Sequence, residues 1–379
     1  MKRLKLLPGA CLCLLLLFTA CQKQTALKEE AQATKRSAAK SSDSRTFLNQ
    51  INPGQRNLKL IPTQPFPDQH SGYRNLVLNK LNDVATCDDN TPINAWLDSE
   101  LADWTSTTIG YVLDWGMLNY PMYNAFIFEN DPTGQVFGVN GEYTQRLTKT
   151  FKDLKRFWDI ESANMVMVPM HGSMLLDREK VLRTVQAIYY ISEEDANYVA
   201  DVVVFLANEI PQYRKGNHPI FSFNAFAVKA DGIPDKIVMG DGMLDGYNAI
   251  GYGDVAPQAI LAHEFGHQVQ YYLNLPDEQG PVASRKKELM ADAFSAYFLT
   301  HARGASMNWK RVQQFLQVFF NIGDCATTSD DHHGTPTQRM AAASWAYQLA
   351  ASAQKKGLVL SPAAFVAMFE AALPQILSN

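Results

Sequence analysis

The sequence is poor in cysteine, carries no excess of basic charge and contains no internal repeat. Five cysteines in 379 residues exclude a small disulfide-stapled scaffold. Lys and Arg number 34 against 38 Asp and Glu, a formal charge of -4, so there is no broad basic surface and nucleic acid is excluded as the main partner. Hydrophobic residues make up 46% and charged residues 19%, which rules out disorder, collagen and coiled coil as overall descriptions. What is present is the composition of an ordinary folded protein, long enough for one large domain or two.

The N-terminus also lacks a spanning segment. Met1-Lys2-Arg3-Leu4-Lys5 is a basic start, and the apolar run from Leu12 to Ala20, broken by Thr19, is shorter than the roughly twenty residues that cross a bilayer. Residues 1–20 therefore read as an export signal. Phe18-Thr19-Ala20-Cys21 resembles the lipobox of bacterial lipoproteins, which implies cleavage before a lipidated Cys21 and attachment to a membrane through acyl chains. Gln22 after the cysteine resembles outer-membrane members of that class. From residue 21 to 45 the chain is rich in Lys, Ser, Ala and Gln, cannot bury enough to fold, and reads as a tether. Of the remaining cysteines, Cys87 and Cys325 are candidates for a disulfide in an exported protein, with two buried free thiols as the equal alternative.

The pattern thereafter predicts an α+β fold, a small sheet followed by a mostly helical half, divided as an α+β region of unknown role at 46–215 and a core at 216–379. Helical patterns cover Leu76 to Val84, Ile93 to Trp104, Tyr143 to Trp158, Arg178 to Tyr190 and Ser192 to Ile210. Phe126 to Glu129 and Gln135 to Gly138 flank Asn130-Asp131-Pro132-Thr133-Gly134, a hairpin signal. Strands are expected at Asn164 to Met170, Ile220 to Val228 and Lys236 to Met239, and helices through most of Ala256 to Gln375.

The informative residues lie in that last part. Pro257 to Leu273 is apolar nearly all round yet carries His263, Glu264 and His267, and ionisable groups on a buried helix need pairing or a metal. His263 and His267, four apart, lie about 40° from one another and about 6 Å along the axis, so both imidazoles can reach one cation. Glu264, turned about 100° from His263, can touch a water on that cation without ligating it. Such an HExxH pattern arises by chance in roughly 1% of chains of this length and composition.

The next helical pattern, Ser284 to Arg303, supplies Glu288 and Asp292 on one face and is expected to stop before Gly304 with His301 and Arg303 in its final turn. Catalytic zinc takes three protein ligands and keeps one position open. Glu288 suits the third ligand, and Asp292 suits the group that accepts the second N–H of a ligating histidine. The bland alternative is a surface ion pair with Arg285 or Lys286.

HEFGHQVQ at 263–270 followed by ELMAD at 288–292 resembles the gluzincin metallopeptidases. A metzincin pattern fails, because it requires Gly at 270 and His at 273 where this chain has Gln270 and Leu273. Together with His333-Gly334-Thr335-Pro336-Thr337-Gln338-Arg339, these motifs are similar to those of bacterial neutral zinc metallopeptidases, over about residues 220–350. The resemblance implies one Zn²⁺ ion held by His263, His267 and Glu288, and a peptide or protein substrate.

Thr335 to Gln338 also matches a capping box with Pro at the first helical position. His333, just before that helix, is the candidate donor to the oxyanion of peptide hydrolysis, against the reading of a plain loop histidine. Arg339 can pair with a carboxylate of the substrate or of the core, and the core partner is the one expected. His70, His171 and His218 have no spaced partners and read as structural. The expected function is a zinc-dependent peptidase of the bacterial envelope, with Glu264 as general base. The rival is a non-catalytic zinc-binding envelope lipoprotein that acts as a binding or scaffolding module. The strand at Lys236 to Met239 is expected to receive substrate by edge addition.

Overall fold

The computed structural model describes residues 48, 51, 58–63, 72–82, 91–275, 280–320, 334–354 and 357–378. The export signal, the tether, Cys21, His70, Cys87, Cys325, His332 and His333 lie outside the described residues. Leu58–Asn379 forms one compact unit, to which everything below refers.

Helices α1 (Gly72–Leu81), α2 (Pro92–Glu100), α3 (Ser106–Asp114), α4 (Asn119–Ile127) and α5 (Thr144–Phe157) precede strand β1 (Val166–Met170). Helices α6 (Arg178–Ile188) and α7 (Glu193–Glu209) lead to β2 (Ala225–Val228) and β3 (Lys236–Gly240). Six helices follow: α8 (Asp241–Ala249), α9 (Ala256–Tyr272), α10 (Pro281–Thr300), α11 (Trp309–Phe319), α12 (Pro336–Gln354) and α13 (Pro362–Leu377). The protein is thus mostly helical with one small sheet, in keeping with an α+β fold. Helices precede β1, as the patterns at 93–104 and 143–158 led one to expect, and the last strand is followed by a helical half. Among the described residues no helix is long and apolar enough to cross a membrane.

Local chemistry accounts for many of these elements. The Ser192 side chain accepts from Asp195 N–H, with Glu193, Glu194 and Asp195 in the first turn of α7, so cap and dipole both fix its start. Thr91 caps α2 through Asn94 N–H, with Pro92 at the first position. Helix α5 buries Leu147, Thr150, Leu154 and Phe157, one stripe at helical spacing.

The sheet order is β1-β3-β2, with β1 parallel to β3 and β2 antiparallel to it. It draws β1 from before residue 215 and the other two strands from after it. Because β3 is central and bonded on both sides, a peptide cannot add to it as an edge strand, which corrects the expected docking at Lys236 to Met239.

The expected hairpin around Asn130 to Gly134 is absent as well. Phe126 and Ile127 end helix α4, and the free carbonyls there are taken by a buried ammonium. Lys236 Nζ donates to the carbonyls of Ala125 at 3.2 Å, Phe126 at 2.9 Å and Glu129 at 2.8 Å, and also to Asn130 Oδ1. On the other arm, Phe137 N–H goes to Thr144 Oγ1 and Gly138 N–H to Asp241 Oδ1. Backbone groups satisfied by side chains have no need of a ladder.

Helix α9 is fastened to the sheet by Gln268, whose Nε2 donates to the carbonyls of Val228 (3.0 Å) and Lys236 (2.7 Å). Helix α10 crosses α9 at Gly266, where a Cβ would lie 3.1 Å from Ala291 Cα and 3.2 Å from the Ala291 carbonyl oxygen. Absence of a side chain lets the two helices come this close. Helix α10 ends at Thr300, earlier than expected, because His301 leaves the helical conformation and bonds through Nε2 to the Leu358 carbonyl.

Candidate metal centre

His263 and Glu264 are buried on α9, and His267 lies one turn further. Glu288 and Asp292 are buried on α10. One ligand atom each from His263, His267 and Glu288 falls within a 4.8 Å cluster, a group that could hold a metal ion. His263 Nε2 is 3.3 Å from Glu288 Oε2, and His267 Nε2 is 3.4 Å from Glu288 Oε1. Two donors each about 2.0–2.1 Å from one tetrahedral ion stand about 3.4 Å apart. The residues therefore fit a single metal cation, with two imidazoles and one carboxylate as donors. Glu264 is not part of that group.

The far side of each ring is held. His263 Nδ1 is 2.9 Å from Asp292 Oδ1, and the Asp292 carboxylate is gripped at 2.8 Å by both Nε and Nη2 of Arg339 on α12. Arg339 thus pairs with a core carboxylate, as expected, and Asp292 makes no surface ion pair with Arg285 or Lys286. His267 Nδ1 is 3.2 Å from Gln270 Oε1, and Gln270 Nε2 donates to the Lys287 carbonyl at 2.7 Å. With Nδ1 of each ring engaged, Nε2 of each faces Glu288, the orientation that a shared cation requires.

The electrostatics follow from these contacts. Burial disfavours charge on His263, but the hydrogen bonds to Asp292 and Glu288 outweigh it and push its pKa up to about 10. Burial pulls His267 down to about 4. Burial also works against the Asp292 carboxylate, and Arg339 more than offsets it, holding that group below the usual range.

Aromatic rings wall one side of the centre. Phe319 of α11 lies with its ring 6.1 Å from that of His263 and 5.4 Å from the Arg339 guanidinium. Tyr73 of α1 and Tyr247 of α8 each rest 5.8 Å from the same Phe319 ring. The capping box at α12 is present: Gln338 N–H donates to Thr335 Oγ1 at 3.2 Å and Thr335 N–H to Gln338 Oε1 at 3.3 Å. Gly334, at φ +99°, packs against Leu289, the neighbour of Glu288.

Sequence reasoning overlooked Gln270, Gln268, Tyr73 and Tyr247. Gln270 carried a readable signal, since it lies three residues after His267 on the same helix. His171, read as partnerless, pairs through Nδ1 with Asp241 Oδ2, seventy positions on. His218 is buried, packs at a tilt against Trp104 and bonds to the Glu100 carbonyl, as a structural histidine does. Comparison of the chain with protein-family profiles, curated proteins and solved structures finds no match.

Proposed function

We propose that the protein is a zinc-dependent peptidase of the gluzincin type, hydrolysing peptide bonds in the bacterial cell envelope. In this reading it is exported by residues 1–20 and held by lipid on Cys21, at the outer membrane. The observation that carries the reading is the convergence of His263, His267 and Glu288 from two adjoining helices at the spacing of ligands to one ion. The HExxH and E-L-x-A-D motifs support it from the sequence.

When bound, zinc supplies a Lewis acid for the scissile carbonyl and lowers the pKa of a water. Glu264 takes the proton of the attacking water and passes it to the departing amine. Asp292 orients His263, Arg339 holds Asp292 in place, and Gln270 orients His267. A structural zinc usually has four closed ligands and needs no base, whereas this group has three and a buried carboxylate beside it in the chain.

Glu264→Gln is the test. Metal analysis is expected to find about one zinc per chain in both proteins, while cleavage of a peptide mixture falls at least about a hundredfold in the variant. Equal cleavage by the two overturns the assignment of Glu264. Zinc bound without cleavage by either favours the scaffolding lipoprotein instead.

A further inference from the structure

Recognition of a charged substrate group needs a complementary charge that the protein has not already neutralised. Arg285, Glu288 and Asp292 of α10 stand at i, i+3 and i+7, which places them on one helix face. Glu288 lies between the two imidazoles, and Asp292 is taken by His263 and Arg339. Lys286, next in the chain, pairs with Glu370 of α13 at 2.7 Å. Arg285 alone of these four is unspent. Its Nε–H is buried without a hydrogen-bond partner, and among the described residues its guanidinium makes no hydrogen bond or ion pair. A buried N–H without an acceptor is costly, the more so on a charged group. Arg183 shows the contrast: its Nε is buried in the same way, but its Nη2 donates to Asn124 at 2.7 Å and lies 3.5 Å from Glu129.

Packing fixes where the arginine stands. It is half-buried, and a Cβ on Gly334, just ahead of α12, would lie 3.4 Å from Arg285 Cγ and 3.1 Å from Leu289 Cδ2. The stem thus rests against the entrance to α12, one turn of helix from the metal-binding carboxylate.

We propose that Arg285 is a specificity residue that receives a carboxylate of the substrate, so that the peptidase selects peptides with an acidic group near the scissile bond. The proposal rests on the peptidase reading above and names the substrate class of that site. At neutral pH the carboxylate is the anionic group of an unmodified peptide, and the guanidinium fork matches it with two parallel hydrogen bonds. It comes from an Asp or Glu side chain or from the C-terminus of the peptide. Arg285 and Glu288 are about 4.5 Å apart along the helix axis, and extended peptide advances about 3.3–3.6 Å per residue. The carboxylate therefore belongs to a residue within about three of the cleaved bond.

The test uses the zinc-loaded full chain as wild type, Arg285→Gln, Arg285→Lys, Lys286→Gln and Glu264→Gln. Quenched fluorescent peptides carry Glu or Gln at each of about three positions on either side of the cleaved bond, each made with a C-terminal acid and a C-terminal amide. Wild type is expected to prefer carboxylate over carboxamide by at least about tenfold in kcat/KM at one position, mainly through KM. Arg285→Gln is expected to bring that preference to within about threefold, Arg285→Lys to leave it in between, and Lys286→Gln to keep it. Preference for Glu over Gln assigns the carboxylate to a side chain, and preference for acid over amide alone assigns it to the chain end. Calorimetry without turnover, on Glu264→Gln with and without Arg285→Gln, is expected to show the same loss of preference in affinity.

A wild type that does not discriminate overturns the proposal, as does a preference that survives Arg285→Gln. So does an Arg285→Gln protein that loses activity on both members of a pair alike, which marks a structural role. Cleavage by wild type and not by Glu264→Gln leaves the peptidase reading standing, so that the Arg285 result decides this proposal alone. Absence of cleavage by wild type overturns both.

Discussion

At the residue scale the centre is a problem in proton accounting. In the ion-free protein His263 is charged at neutral pH, because its pKa lies near 10, and His267 is neutral, because its pKa lies near 4. An ion requires both rings neutral. Binding is therefore expected to release about one proton per ion at pH 7, from His263 alone, measurable by titration calorimetry in buffers of different ionisation enthalpy. Release near zero or near two contradicts the assignment. The same shift has a stability sign. A folded pKa above the unfolded value of about 6.5 adds stability that is complete below about pH 6.5 and is lost as the pH rises through 10.

Much of this residue-level picture was legible, and the limits are physical. His263, His267, Glu288 and Asp292 announce themselves because two pairs of ionisable groups at helical spacing stand in stretches that are otherwise mostly apolar. Arg339 was readable as a partner of a core carboxylate, though not of which one. Tyr73 gave no signal, since its position depends on contacts with Phe223 and Phe319, 150 and more positions away. The pairing of His171 with Asp241 was hidden for the same reason.

At the scale of elements, the approach of α9 and α10 sets the distance between imidazoles and carboxylate. Gly266 is the contact point, with Ala291 and Phe294 atoms 3.1–3.2 Å from where a Cβ would sit. Gly266→Val is expected to force the helices apart, to cost about 1–3 kcal/mol of stability, and to weaken zinc affinity by about tenfold or more. Thermal unfolding and competition with a chromogenic chelator measure the two effects. Unchanged zinc affinity would show that the helix spacing does not set the site. Elements whose ends are fixed by adjacent residues, such as α7 with Ser192 and α12 with Thr335 and Gln338, were readable to within a residue or two. The stretch from Phe126 to Gly138 was misread because its backbone partners, Lys236 and Asp241, come from more than a hundred positions away.

At the scale of the whole molecule, Lys236 ties the C-terminal end of α4 to the central strand. Its side chain is fully buried, and burial pulls the ammonium down to about 8, which still leaves it charged at neutral pH. Lys236→Met keeps the length of the stem and strands several carbonyl acceptors, so a loss of about 3 kcal/mol or more is expected. Chemical denaturation with unchanged m-value and lower midpoint is the signature. A midpoint equal to wild type would mean that solvent or other donors replace the ammonium. The lysine also links residues on the two sides of position 215, since β1, α4 and Lys236 belong to one sheet and its immediate surroundings.

The chain of contacts from His263 through Asp292 to Arg339 has a thermodynamic corollary. Arg339 is part of α12, so any cation seated between the imidazoles biases the docking of a helix that offers it no ligand. Affinity for the ion and adhesion of the C-terminal helices are then a single free energy observed at two places, and each can be tuned by altering the other.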